Sequence, residues 1–173
     1  MRKLFFALLA ATLLIISGCG YHTLGTATHL PAGVQTLSVP VFATRTDAYH
    51  TETVMTEAVI REFATRTKLR MSPSSNGDAD ATLHGTILKQ TVTPLTYNTV
   101  TQQSSSFLIT VVIAVTLNGR DGRVLYENKN YTYREQFQST SNLPTYLDES
   151  PAAEERLARN FARALVADVL EGL

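Results

Sequence analysis

The sequence predicts an α/β fold: a two-layer sandwich, with two helices packed on one face of a four- to five-stranded mixed sheet. Three observations predict it. Residues 51–67 and 151–171 carry apolar side chains at helical spacing, and residues 107–117 alternate as a strand. The elements follow the order strand, helix, strands, helix, with no internal repeat. Two apolar helix stripes are enough to cover one face of such a sheet.

The elements follow in order. Residues 36–42 alternate, with Leu37, Val39 and Val41 on one face. Pro40 has no N–H to give to a ladder, so this strand is expected at a sheet edge or to end there. Residues 45–50 are a polar loop. In residues 51–67, Met55, Ala58, Val59, Glu62 and Phe63 form one helical stripe. Glu52 near its start and Arg66 and Lys68 near its end suit the helix dipole. Leu69 and Met71 predict a short strand, and residues 72–78 a turn.

Residues 81–90 alternate as a strand with Leu83 and Ile87 on one face. Residues 91–106, containing Pro94 and Tyr97, read as a long polar loop or a strand extension. Residues 107–117 are the most strand-like segment. Phe107, Ile109, Val111, Ile113, Val115 and Leu117 share one face, and the other is half apolar, which suggests a central strand. Residues 118–122 predict a hairpin turn. Residues 124–137 return, carrying Tyr126, Tyr131, Tyr133 and Phe137; strict alternation sets Tyr126 on the face opposite the other three. After a loop at 139–149, Ser150 reads as an N-cap and Pro151 as the first helical residue. Leu157, Phe161, Leu165 and Val169 then recur every four residues, flanked by Ala158, Ala162 and Ala164.

The start of the chain has another character. Arg2 and Lys3 precede an apolar run at 4–16, and Ser17-Gly18-Cys19 closes it as a bacterial lipobox does. The run is the length of a signal-peptide core, about 7–15 residues, and shorter than the roughly 20 of a membrane span. Small residues give a peptidase access to the backbone, and the thiol of Cys19, the single cysteine, is the nucleophile that takes a diacylglycerol. Cleavage frees an amino group for a further acyl chain. Two or three chains anchor stably where one does not. In the Gram-negative lipoproteins that this segment resembles, an Asp after the cysteine favours inner-membrane retention, so the resemblance and Gly20 together imply the outer membrane. The division is a signal peptide at 1–18, a lipidated tether at 19–33 and one domain at 34–173.

Removing residues 1–18 from 173 leaves 155, enough for one domain with its own core. The 15 basic and 15 acidic side chains become 13 and 15 once Arg2 and Lys3 are lost, about −2, which gives no case for nucleic-acid binding. With Cys19 acylated no disulfide is available. The domain is expected to fold as a monomer without its lipid.

No catalytic constellation emerges. His22, His29, His50 and His84 are scattered, and no metal-binding pair, Gly-x-Ser-x-Gly elbow or phosphate loop occurs. Glu154 and Glu155 open a helix, where carboxylates serve the dipole, and Asp78 and Asp80 are turn residues. The chain reads as a non-enzyme without metal or cofactor beyond the acyl groups on Cys19. Three features suit binding instead: the helical stripe Arg156, Arg159 and Arg163, which reads first as a solvated face because Glu155 can pair with Arg159 at i+4; the segment carrying Tyr97; and the tyrosine set of the last strand, mostly core.

The mature chain resembles the LPS-assembly lipoprotein family, LptE. Cys19-Gly20-Tyr21-His22 after the lipobox, Leu30-Pro31-Ala32-Gly33, the Leu37–Phe42 strand before a polar loop and helix, Ala79-Asp80-Ala81 ahead of Leu83-His84-Gly85, and the long 107–117 strand carry the likeness. The resemblance implies an outer-membrane lipoprotein, anchored on the periplasmic face, that plugs an LptD-like β-barrel as one half of a heterodimer. It also implies help in barrel assembly and in placing lipopolysaccharide in the outer leaflet, through basic residues in loops at one end of the sheet. Here the loops 91–106 and 138–149 hold no Lys or Arg, so the anion contact falls to Lys89 and Arg134 on the flanking strands. The alternative is a lipoprotein activator of a cell-wall synthase. Its reach would be short, since the 14 residues from Gly20 to Gly33 span about 50 Å at most.

Overall fold

A computed structural model describes residues 30–171 except 32, 47–49, 73–77, 99–102 and 141–146. The signal peptide, Cys19 and the tether up to residue 29 lie outside the described residues. The elements are β1 (Thr36–Ser38), β2 (Ala43–Thr44), α1 (Thr51–Arg66), β3 (Arg70–Ser72), β4 (Ala81–Asn98), β5 (Gln103–Gly119), β6 (Val124–Thr140), β7 (Leu147–Asp148) and α2 (Ser150–Glu171). The sheet runs β3-β1-β4-β5-β6-β7, with β2 also paired to β4. Pairs among β1 to β4 are parallel, and those from β4 to β7 antiparallel. The sandwich is the expected one. Among the described residues its strand count rises to seven through β2 and β7, two residues each, too short to leave an alternating pattern.

Pro40 acts as its chemistry requires. β1 lies between β3 and β4 and ends at Ser38; the chain then steps away and rejoins β4 as β2. Segment 91–106 is strand extension on both sides, β4 continuing to Asn98 and β5 starting at Gln103. Helix α2 opens at Ser150, one residue before the Pro151 start. Ser150 N–H and hydroxyl both donate to Asp148 Oδ1, at 3.0 and 2.7 Å.

The core is the helix face of the sheet. Leu83 and Ile87 of β4 and Ile109, Val111, Ile113, Val115 and Leu117 of β5 meet Met55, Val59 and Phe63 of α1 and Leu157, Phe161, Leu165 and Val169 of α2. The other face of β5, from Leu108 to Thr116, stays half-buried, with no helix among the described residues covering it.

Two contacts fix the β1 side. Asp80 is more than a turn residue: Gln35 N–H, Thr36 N–H and the Thr36 hydroxyl all donate to its Oδ2, at 3.1, 3.0 and 2.7 Å. These bonds, the Thr36 hydroxyl first, lower its carboxyl pKa. The stability they add is present above the ordinary aspartate range and lost as pH falls through the lowered value.

The second contact is Phe42. Its N–H donates to Thr56 Oγ1 at 2.9 Å and its ring meets Phe161 edge-on at 6.2 Å. That ring lies against Gly85, where an added Cβ would stand 2.4 Å from Phe42 carbons. Phe42 is 2 % exposed, with its backbone tied to Thr56 and its ring packed on Phe161, so the ring has little room to yield. Gly85→Val is expected to cost about 1–3 kcal/mol, read as a lower urea midpoint with an unchanged slope.

Candidate functional site

Two β-bulges decide which side chains reach which face. In an unbroken β4, Lys89 would share the face of buried Ile87 and point under the helices. Ile87 instead stands opposite Ile113 and Lys89 opposite Val112, so Leu88 is an extra residue and Lys89 turns to the helix-free face. On β6, Arg134 stands opposite Thr110, on the same face of β5 as Val112. Lys89 and Arg134 therefore flank β5 on one open surface. Strand spacing and rise put their Cα atoms about 12 Å apart. Both are exposed, and among the described residues neither has an ion-pair partner. Thr91, Thr93, Thr110 and Thr132 occupy neighbouring register positions.

A second bulge corrects the expectation for Tyr126. Val115 pairs with Asn128 and Ile113 with Tyr131, one residue too many on β6, which returns Tyr126 to the helix face. Its hydroxyl hydrogen-bonds that of Tyr131, which donates to Asp168 Oδ2 of α2. Burial first, then the Asp168 and Tyr126 contacts, hold the Tyr131 hydroxyl far above the ordinary phenol range. Burial and the Asp168 charge raise Tyr133 as well. Tyr131 and Tyr133 also meet the Phe161 ring edge-on. These tyrosines fasten α2 to β6.

The arginine stripe of α2 is divided. Arg156 Nε donates to Glu135 Oε1 at 2.7 Å and Nη2 to the Gln136 carbonyl at 3.2 Å, tying the helix to β6. Arg159 pairs with Glu155 at 3.3 Å. Arg163 is exposed and has no ion pair among the described residues. One open cation is left of three, so the stripe is a weaker anion surface than the sheet face. Tyr97 sits on β4 near its end; its side chain lies outside the described atoms.

Sequence reasoning assigned Glu154 to the helix dipole and gave no sign of its burial. It is half-buried where α2 meets α1 and β4, beside the Thr51 hydroxyl and Gln90. Thr51 Oγ1 and Gln90 Oε1 are buried there and make no well-formed hydrogen bond among the described residues. Burial raises its carboxyl pKa more than Thr51 and Gln90 lower it, and Asp148 raises it further. An acid raised on folding costs stability above both pKa values, and the cost fades as pH falls. Glu154→Gln is therefore expected to raise the melting temperature at pH 7, with the gain gone below the ordinary value of 4.5. Thermal scans of both proteins across pH check it.

Among the described residues no three His, Cys, Asp or Glu side chains come together as metal ligands, and no helix is long and apolar enough to cross a membrane. The arrangement places two exposed cations on a hydroxyl-rich face of the sheet.

Comparison with known proteins agrees with the resemblance. The family model of LptE, lipopolysaccharide assembly, matches residues 34–169. The chain belongs to the LptE family. That match covers all the elements from β1 into the last turn of α2. Among curated proteins none matches. The fold is similar to that of a lipoprotein from Caulobacter crescentus CB15, with a TM-score of 0.53 at 11 % identity over 76 % of this chain and 89 % of that one. The hypothetical protein CT253 from Chlamydia trachomatis has a TM-score of 0.49 at 13 % identity, over 79 % and 96 % of the two chains. Lipoprotein GNA1162 from Neisseria meningitidis has 0.45 at 13 %, over 79 % and 98 %. At such identities the likeness concerns the fold alone.

Proposed function

We propose that this LptE-family protein is an outer-membrane lipoprotein, held by acyl chains on Cys19, that sits inside an LptD-like β-barrel and assists lipopolysaccharide insertion into the outer leaflet. The family match along the whole domain carries the reading. A nearly neutral domain suits a polar barrel lumen. Lys89 and Arg134 are the anion contact in this reading. They flank one strand on the open face, and Lys and Arg form the stronger, charge-assisted hydrogen bonds with phosphate. The work is recognition and placement, with no bond made or broken by the protein.

Depletion in a lipopolysaccharide-producing cell tests the function. Surface lipopolysaccharide is expected to fall as the protein is exhausted, and complementation to need Cys19. Unchanged surface lipopolysaccharide would refute the reading.

A further inference from the structure

The chain enters the domain at one end of the sheet. Pro31 and Gly33 line one cleft with Asp80, Arg120 and Arg123. Asp80 ties this entry to the β5–β6 turn: its Oδ2 accepts from Gln35 and Thr36, and its carbonyl accepts from Arg120 N–H at 2.8 Å. Arg70 stands at the same level, opposite Thr36. From here β4 and β5 run together to Asn98 and Gln103, about 55 Å away. Eleven residue steps separate Leu30 from Cys19, and they reach about 40 Å at most. The far end of the sheet therefore stays about 15 Å or more from Cys19, and the entry end is the one that can come down beside it.

The side chains of the entry end suit a headgroup layer. Arg70, Arg120 and Arg123 are exposed, and Val124 beside them is 54 % exposed. Arg70 and Arg120 make no ion pair among the described residues. Arg123 meets Asp121 at 3.6 Å, but both side chains are mostly solvated, so the pair is weak. With Lys68, two residues before Arg70, four exposed cations stand against the exposed acids Asp78 and Asp121. The carboxylate of Asp80 is already engaged by Gln35 and Thr36.

We propose that the β5–β6 turn end, with Arg70, Arg120, Arg123 and Val124, rests on the anionic phospholipid headgroups of the leaflet that holds the acyl chains of Cys19. This rests on the lipid-anchor reading above. Anionic lipid attracts each exposed Lys or Arg near the surface by about fivefold in partition. An exposed apolar side chain among the cations adds burial at the headgroup boundary. The short tether keeps this end concentrated at the surface, so contacts too weak to bind a free protein are enough.

Cys19 is the single cysteine, and lipid takes its thiol in this reading, so Val124→Cys and Leu95→Cys each offer one free thiol for a fluorophore. Leu95, 49 % exposed toward the far end of β4, is the control. The full lipoprotein is placed in vesicles of phosphatidylglycerol and phosphatidylcholine that carry a nitroxide-labelled lipid. Quenching is expected to be at least about threefold greater at Val124 than at Leu95. It should fall by about half or more when Arg70, Arg120 and Arg123 are all replaced with Gln, and when salt is raised. Equal quenching at the two positions overturns the inference, as does quenching at Val124 that the three substitutions leave unchanged. Where the triple variant does not accumulate folded, salt on Val124→Cys alone decides, and quenching that salt leaves unchanged overturns the inference. A wild-type protein that itself takes the label at Cys19 overturns the anchor reading instead.

Discussion

Replacing both Lys89 and Arg134 with Gln is expected to weaken lipopolysaccharide binding by about ten- to hundredfold. A hydrogen bond to a charged group contributes about 1.5–3 kcal/mol, and exposure reduces that here. Both side chains are exposed, face the same side of β5, and lack ion-pair partners among the described residues, so their removal leaves no orphaned charge. The domain should therefore keep its melting temperature. Arg159→Gln is the control. Its guanidinium already faces Glu155 at 3.3 Å on the helix surface, and binding should change less than about twofold. Titration of labelled lipopolysaccharide at two salt concentrations reads both effects, since the loss should shrink as salt rises. Unchanged affinity in the double variant would remove these residues from the site.

Phe161→Ala is expected to cost about 3–5 kcal/mol. Phe161 is 0 % exposed and stands at the centre of the interface between α2 and the sheet. Phe42, Tyr131 and Tyr133 all meet it edge-on, at 6.2, 5.6 and 5.6 Å. Truncation leaves a cavity lined by rings that are themselves tied, Phe42 to Thr56 and Tyr131 to Asp168, so the site cannot collapse. A domain of this size has about 5–15 kcal/mol in total, so the variant should lose roughly a fifth of it or more. Urea unfolding of a signal-less Cys19→Ala form measures the change, and the same form tests whether the domain folds without its lipid. Phe161→Leu should recover part of the loss, because it restores volume without the edge-on contacts.

The elements that stood out in the sequence are those whose stability is local or periodic. α2 was legible because Leu157, Phe161, Leu165 and Val169 lie on one stripe, and β5 because one whole face from Phe107 to Leu117 is apolar. The faces of Lys89 and Tyr126 were not legible. Each depends on a single extra residue in a strand, and a bulge changes register without changing composition. Lys89 and Arg134 could be singled out in the sequence, but their placement as two cations on one open face depends on the bulge at Leu88. The contacts of Asp80, read as a turn residue, of Glu154, read as serving the helix dipole, and of Asp168 were not legible because their partners are distant in sequence. Thr36, Thr51 with Gln90, and Tyr131 give no local sign of those contacts. Arg156 was visible as part of a stripe, but its bond to Glu135 across to β6 was not.

Purifying the tagged full-length lipoprotein from mild-detergent membrane extracts, and weighing what comes with it, tests the central claim most directly. The expected result is one large outer-membrane β-barrel in equal amount, retained through a salt wash. Recovery of the lipoprotein alone, or with a cell-wall synthase in place of the barrel, would contradict it.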